Sequence, residues 1–147
     1  MRDGTECGCI GYRNSWGNSQ NNNCRKYYIV DIERDAKRSF GLNINEPQFE
    51  NIGESFFAQM TVDFDIEIEQ SEDQKCKIKL ALEGAFISRD GIDEDAFKRL
   101  VIINGAAAII GIARGRIEAM TASVFNNGKI VIPFVNVVDY YKGLTEE

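Results

Sequence analysis

The sequence predicts an α+β domain in which an antiparallel sheet of three to four strands carries a long helix packed on one face. Three observations point there. From Ala58 to Glu69 apolar and polar residues alternate strictly, the period of a half-buried strand. The alternation resumes at Lys75 with charges of opposite sign, as in the second arm of a hairpin. After Gly91 a long apolar stretch follows with small residues at spacings of three and four, the period of a helix. A chain of 147 residues, 44% hydrophobic and 27% charged, suffices for one domain with a core.

Taken in order, residues Met1 to Asn23 hold Gly, Asn and Ser with few aliphatics, so residues 1–25 are expected to be a flexible, dispensable leader and residues 26–147 the domain. "RKYYIVDIERDAKRSFGLNI" reads as a first strand, bulged near Asp35 to Lys37. Pro47 and Gly53 mark "NEPQFENIGE" as a connection with room for a short strand, anchored by Phe49 and Ile52. In the hairpin, Ala58, Met60, Val62, Phe64, Ile66 and Ile68 share a parity with Cys76, Ile78, Leu80, Leu82, Gly84 and Phe86 in the second arm. With "QSEDQ" as the loop, Glu69 faces Lys75, Glu67 faces Lys77 and Asp65 faces Lys79. That charged face is a solvated surface or, on a sharper reading, a docking surface.

Asp93 is positioned to cap the helix, with Glu94 and Asp95 at its positive end. Gly105 is a point at which the helix kinks or divides. Ala108, Gly111, Gly115, Ala119 and Ala122 form a bare line along it, next to a stripe of Ile110, Ile117 and Val124. Either the bare line lies against the chain's own sheet, or it is an oligomer interface where another subunit's backbone comes close. "NNG" ends the helix, "KIVIPFVNVV" is extended with Pro133 arguing against a central strand, and a brief aromatic tail follows at Tyr140 and Tyr141.

Several functions are disfavoured. "YRNSWG" at Tyr12 to Gly17 has the wording of a papain-like cysteine protease, but the chain has no histidine to serve as its base. There is no Gly-rich phosphate loop either, and the expectation is that the protein is not an enzyme. A net charge of -6 argues against nucleic acid as a partner. Cys7, Cys9 and Cys24 lack a fourth local ligand for zinc, "DGIDED" has the wrong spacing for calcium, and no metal or other cofactor is expected. Cys76 reads as a small buried hydrophobe. The opening residues lack a basic stretch followed by an apolar one, and the apolar run from Val101 to Ala113 is shorter than the ~20 residues that span a bilayer. A soluble, cytoplasmic protein without membrane insertion is therefore expected.

The order of elements and several short words resemble the SecB-type protein-export chaperones, including the SecB-like chaperones of toxin-antitoxin systems. The resemblance runs from about Tyr28 to Tyr141. It is most specific in "INGAAAIIGIARGRIEAMTASVFNNGKIVIPFVNVVDYY", with its Ala113–Arg114 and Val135–Asn136 pairs, and extends to "LEGAFIS" and, more loosely, "RSFGLN". It implies a Greek-key antiparallel sheet with helices on one face, assembled into a homotetramer as a dimer of dimers. It also implies an ATP-independent holdase that takes unfolded polypeptides into apolar grooves and passes them to the translocation ATPase, or protects an antitoxin. The family's acidic docking positions fall near Lys37, Gly41, Lys77 and Lys79, which departs from the pattern. The connection before the hairpin is shorter than in the best-known members, so a strand and part of the groove wall are candidates for loss. The tail "KGLTEE" is brief.

A holdase needs exposed apolar surface that accepts many sequences. Phe40, Phe49, Phe56, Phe57, Phe97, Phe134, Tyr140 and Tyr141 lie at element ends and connections and are the candidate peptide-binding residues. Each is alternatively a core or interface residue. Phe57 interrupts the polar face of its strand, so its ring is either covered by the preceding connection or open to a client. The rival to a holdase in protein export is a dedicated interaction module that stabilises one partner, such as an antitoxin.

Overall fold

The computed structural model describes residues 32–72 and 74–145. The expectations for the leader, for "YRNSWG" and for Cys7, Cys9 and Cys24 fall outside the described residues. The elements run β1 (Lys37–Ile44), β2 (Gln48–Ile52), β3 (Ser55–Ser71), β4 (Gln74–Ile87), α1 (Glu94–Leu100), a π-helical turn (Val101–Gly105), α2 (Ala106–Val124) and α3 (Val137–Thr145). The architecture is α+β, an antiparallel sheet of four strands with a long helix.

β3 is the spine. β4 pairs with it along one edge from Phe57↔Ile87 to Ser71↔Gln74, while β1 and β2 lie end to end along the other. Between Ile44↔Val62 and Gln48↔Gln59 the first chain advances four residues and β3 three, so one extra residue is taken up at Asn45–Pro47. Pro47 cannot donate to a ladder, and an extra residue there is how strands accommodate one. The bulge expected near Asp35 to Lys37 is instead a turn at Arg34–Asp35 before β1 begins. The sheet is a meander, not the Greek key that the resemblance implied. A two-residue turn at Gly53–Glu54, with Gly53 at φ 62°, joins β2 to β3, and a tight hairpin joins β3 to β4. Among the described residues β2 pairs with β3 and β3 with β4, β1 continues the line of β2 along the same edge of β3, and no long connection returns a strand to the first. The short connection has kept its strand, β2.

One face of the sheet is the core, with Ala58, Met60, Val62, Phe64, Ile66 and Ile68 of β3 and Cys76 and Ile78 of β4 all buried. Each fully buried aliphatic side chain contributes about 1.5–3 kcal/mol. On the other face the expected pairs form, Lys75–Glu69 at 3.4 Å, Lys77–Glu67 at 3.8 Å and Lys79–Asp65 at 3.9 Å. They are exposed, so they select register more than they stabilise.

Asp93 caps α1, its carboxylate accepting from the Ala96 amide at 2.8 Å. From Glu94 to Val124 the helix is continuous over 31 residues, and by length and composition it could cross a membrane. Its inner residues, Ala106, Ile109, Ile110, Ala113, Ile117 and Thr121, are buried in the domain core. Two glycines set its height above the sheet. A Cβ on Gly84 of β4 would lie 2.7 Å from Ile109 Cδ1, and one on Gly105 would lie 3.0 Å from Phe86 Cζ. The division expected at Gly105 is the π-helical turn that ends there.

The bare line of α2 does not lie on the sheet. Ala108, Gly111, Gly115, Ala119 and Ala122 are exposed, and a Cβ on Gly111 or Gly115 would meet nothing within 4 Å. The helix ends at Asn126–Asn127–Gly128, with Gly128 at φ 97°. The Asn126 side chain accepts from the Ile32 amide at 3.0 Å, and Asn127 donates to the Ile32 carbonyl, tying residue 32 to the end of α2. The aromatic tail is a helix, α3, and its missed start signal is Asn136, whose Oδ1 accepts from Val138 N at 3.1 Å and Asp139 N at 3.4 Å.

Gly84→Val should lower stability by about 1–3 kcal/mol through overpacking. Gly111→Ala, in open space on a helix, should raise it by about 0.5–1 kcal/mol. Denaturant titration of both variants checks the pair, and equal effects would contradict the helix placement.

Candidate functional site

The segment after α2 runs beside the sheet without joining it, and the sequence explains how it is held. The buried Thr121 hydroxyl donates to the Ile117 carbonyl at 2.7 Å and accepts from the Ile130 amide at 2.8 Å, fastening the segment to the helix. Lys129 pairs with Glu118 at 2.8 Å, and that hydrogen bond holds the Glu118 carboxyl below its ordinary pKa. Ile130 and Ile132 then enter the core while Val131 is 52% exposed. At Pro133 the alternation slips, and Phe134, which would otherwise point inward, is 85% exposed.

Between this segment and β1 lies an apolar groove of about 250 Å³. Phe40 and Leu42 of β1 form one wall, Phe64 and Ile66 of β3 the floor, and Ile132, Pro133 and Val135 the other wall. Every lining side chain is apolar, Phe40 is 39% exposed, and Phe134 stands between Pro133 and Val135 outside the lining. Beyond Phe40 is an edge of the sheet that pairs with no other strand among the described residues. The Asn45 amide donates to the Thr61 carbonyl at 3.0 Å, whereas the Ile44 amide turns outward and donates to the Tyr140 hydroxyl at 3.1 Å. Alternation along a strand therefore turns the amides of Leu42 and Phe40 outward as well.

The eight aromatic residues expected to bind peptide fall into four places. Phe40 and Phe134 flank the groove, and Tyr140 clamps the end of β1. Phe49, Phe56 and Phe97 do not reach it. They form a cluster where α1 meets the sheet, with Phe49–Phe97 at 6.4 Å and 78° and Phe56–Phe97 at 6.0 Å and 26°. Phe97 is only 5% exposed, and Phe49 and Phe56 pack against the core because their parity places them on the inner face of the sheet. Phe57 is on the outer face, half-buried between Glu50 and Ile87 in register. The preceding connection does not cover it, since that connection is a strand of the same sheet. Tyr141 meets Tyr140 edge-on at 5.5 Å, and its hydroxyl is buried with no hydrogen-bond partner among the described residues. Burial, and then Tyr140, raise its pKa.

Sequence reasoning missed Leu42, Phe64, Ile66, Ile132, Pro133 and Val135 as groove residues. The available signal was the alternation from Ile130 to Ile132 interrupted by proline, which marks an extended segment that buries one side without strand pairing.

Two other surfaces stand out. On the outer face of α2 Ile112 and Met120 are exposed beside the bare line with the exposed Arg116 between them, and the nearby Arg114 Nε is buried without a partner among the described residues. The outer sheet face around Gly41 is lined by Asp65, Glu67, Lys77 and Lys79, balanced in sign by the ion pairs above. Among the described residues no three His, Cys, Asp or Glu side chains gather as metal ligands. No family model matches this chain, and no curated protein is significantly similar to it.

Phe97→Ala should cost about 3–5 kcal/mol in thermal or chemical unfolding. Phe134→Ser should stay within about 0.5 kcal/mol, as for exposed positions in general. A large loss for Phe134→Ser would place that ring in the core.

Proposed function

We propose that this protein is an ATP-independent holdase that binds unfolded polypeptide segments, without cofactor and without catalysis. The observation that carries the reading is the groove, a wholly apolar cleft flanked by two exposed phenyl rings and by a strand edge that no described residue pairs. Such a surface suits a chain of undefined sequence. Extended backbone can add to the edge through main-chain hydrogen bonds, and apolar side chains can enter the cleft with little demand for shape. The acidic balance of the whole chain, with its net charge of -6, favours solubility despite exposed apolar surface.

The SecB-type resemblance of the sequence supports the same reading. It extends it to a cytoplasmic homotetramer built as a dimer of dimers, with protein export as the setting and the translocation ATPase or an antitoxin as possible partners in relay. The bare line of α2 is the surface we assign to subunit contact, because a line of glycine and alanine lets another helix approach closely, with Ile112 and Met120 beside it to bury. A paired, charge-balanced sheet face at Lys77 and Lys79 is a weaker match to ATPase docking than an acidic one.

The test is suppression of aggregation of a chemically unfolded client, followed by light scattering without nucleotide. Phe40→Ser combined with Phe134→Ser should weaken capture by roughly three- to tenfold while the fold persists. Unchanged capture by the folded double variant would reject the groove. Protection of a single endogenous partner, with no effect on unrelated clients, would favour a dedicated antitoxin stabiliser. Gly115→Leu should reduce the oligomer size measured by light scattering, and a wild-type chain monomeric at micromolar concentration would remove the assembly from the proposal.

A further inference from the structure

A second cleft lies where the end of β4 meets α1 and the π-helical turn. It is open to solvent and has a volume of about 330 Å³. Its inner lining is Phe86, Ile92, Phe97 and Val101, all buried or half-buried, and Leu100 stands at the mouth, 47% exposed. The polar residues of the lining are few. Ser88 is already engaged, since its Oγ accepts from the Phe56 amide at 2.8 Å. That leaves Arg89 and Asn104, both exposed, and neither side chain has an ion-pair or hydrogen-bond partner among the described residues.

Of the carboxylates nearby, Asp93 holds the first turn of α1 and Glu94 pairs with Lys98 at 2.7 Å; Asp90, next to Arg89 in the chain, is exposed outside the lining, and among the described residues no acidic side chain lines the cleft. An apolar chamber whose one charged group is an unpaired guanidinium selects for a ligand of matching layout, with an apolar body and an anionic, hydrogen-bond-accepting head. The volume is at the lower end of ligand sites, about 300–1,000 Å³. It suits a single medium-length chain and not an extended cofactor. The π-helical turn contributes directly, because it brings Val101 and Gly105 to the lining while presenting Asn104 at the rim.

From this charge complementarity we propose that the cleft is a binding site for a small monocarboxylate amphiphile, of the class of medium-chain fatty acids. The carboxylate sits at Arg89 and Asn104, and the chain passes Leu100 toward Phe97. The site is separate from the groove beside β1 and does not depend on the holdase reading.

The experiment is isothermal titration of the full-length protein with decanoate and with decyltrimethylammonium, each below its micelle concentration. The two probes share a tail and differ in the sign of the head. Decanoate should bind with one-to-one stoichiometry and at least about tenfold more tightly than the cation. Arg89→Gln should bring the two to parity, and Leu100→Glu should weaken decanoate by about tenfold or more. Both side chains are exposed, so unchanged thermal midpoints are expected and should be verified. Phe134→Ser should leave decanoate binding as it is. Equal affinity for the two head groups in the wild type, or decanoate binding lost in Phe134→Ser and kept in Leu100→Glu, would overturn the proposal. So would a wild type that ignores decanoate while Leu100→Glu changes its oligomeric state, since a second copy would then fill the cleft.

Discussion

The height of the long helix above β4 controls the position of much else in the molecule. Gly84 and Gly105 let the helix approach at two points, one against Ile109 and the other against the Phe86 ring. Because the packed interior cannot hold a gap, this approach fixes which side chains of α2 are spent on the sheet and which remain outside. It also fixes where the C-terminal end of α2 arrives, and hence where Thr121 can hold Ile130. The far wall of the groove is thus set by glycines about two dozen residues or more away in sequence, at the other end of the helix.

The same constraint divides the surface. The inner faces of sheet and helix are apolar and covered, and the outer face of the sheet is laced with ion pairs. What remains exposed and uncharged is concentrated in the outer line of α2, the groove beside β1 and the cleft at the end of β4. Exposed apolar surface distributed in separate patches, on a chain with net negative charge, is compatible with several kinds of contact at once.

Much of the fold could be read from sequence because its signals are local. The hairpin register followed from parity and from the pairing of Glu69, Glu67 and Asp65 with lysines, and the Asp93 cap from residue type and position. The meander order was not legible from periodicity, which says that strands exist and nothing of their neighbours; turn lengths decide that. α3 was missed because nine residues with two tyrosines carry little helical signal beyond the Asn136 cap. The candidate site was the least legible part. A phenylalanine at the end of an element is equally a core anchor or an exposed ring, and only three-dimensional placement separated Phe97 from Phe134. The groove also draws its walls from β1, β3 and the segment after α2, which are distant in the chain, so no single window of sequence contains it.

The segment from Lys129 to Asn136 is extended but bonded to no strand among the described residues, and its hydrogen bonds sit near its ends, at Lys129 and Ile130 on one side and at the Asn136 cap of α3 on the other. Between them Pro133 has no amide hydrogen to donate, and Phe134 rides on an unladdered span. A wall of this kind behaves as a strap pinned a second time along its length, because Ile132 is seated in the core between the two posts. Only the short stretch at Pro133 and Phe134 stands clear of both sheet and interior, so whatever give the wall has is confined to that pair, while the rigidity of the domain resides in β3.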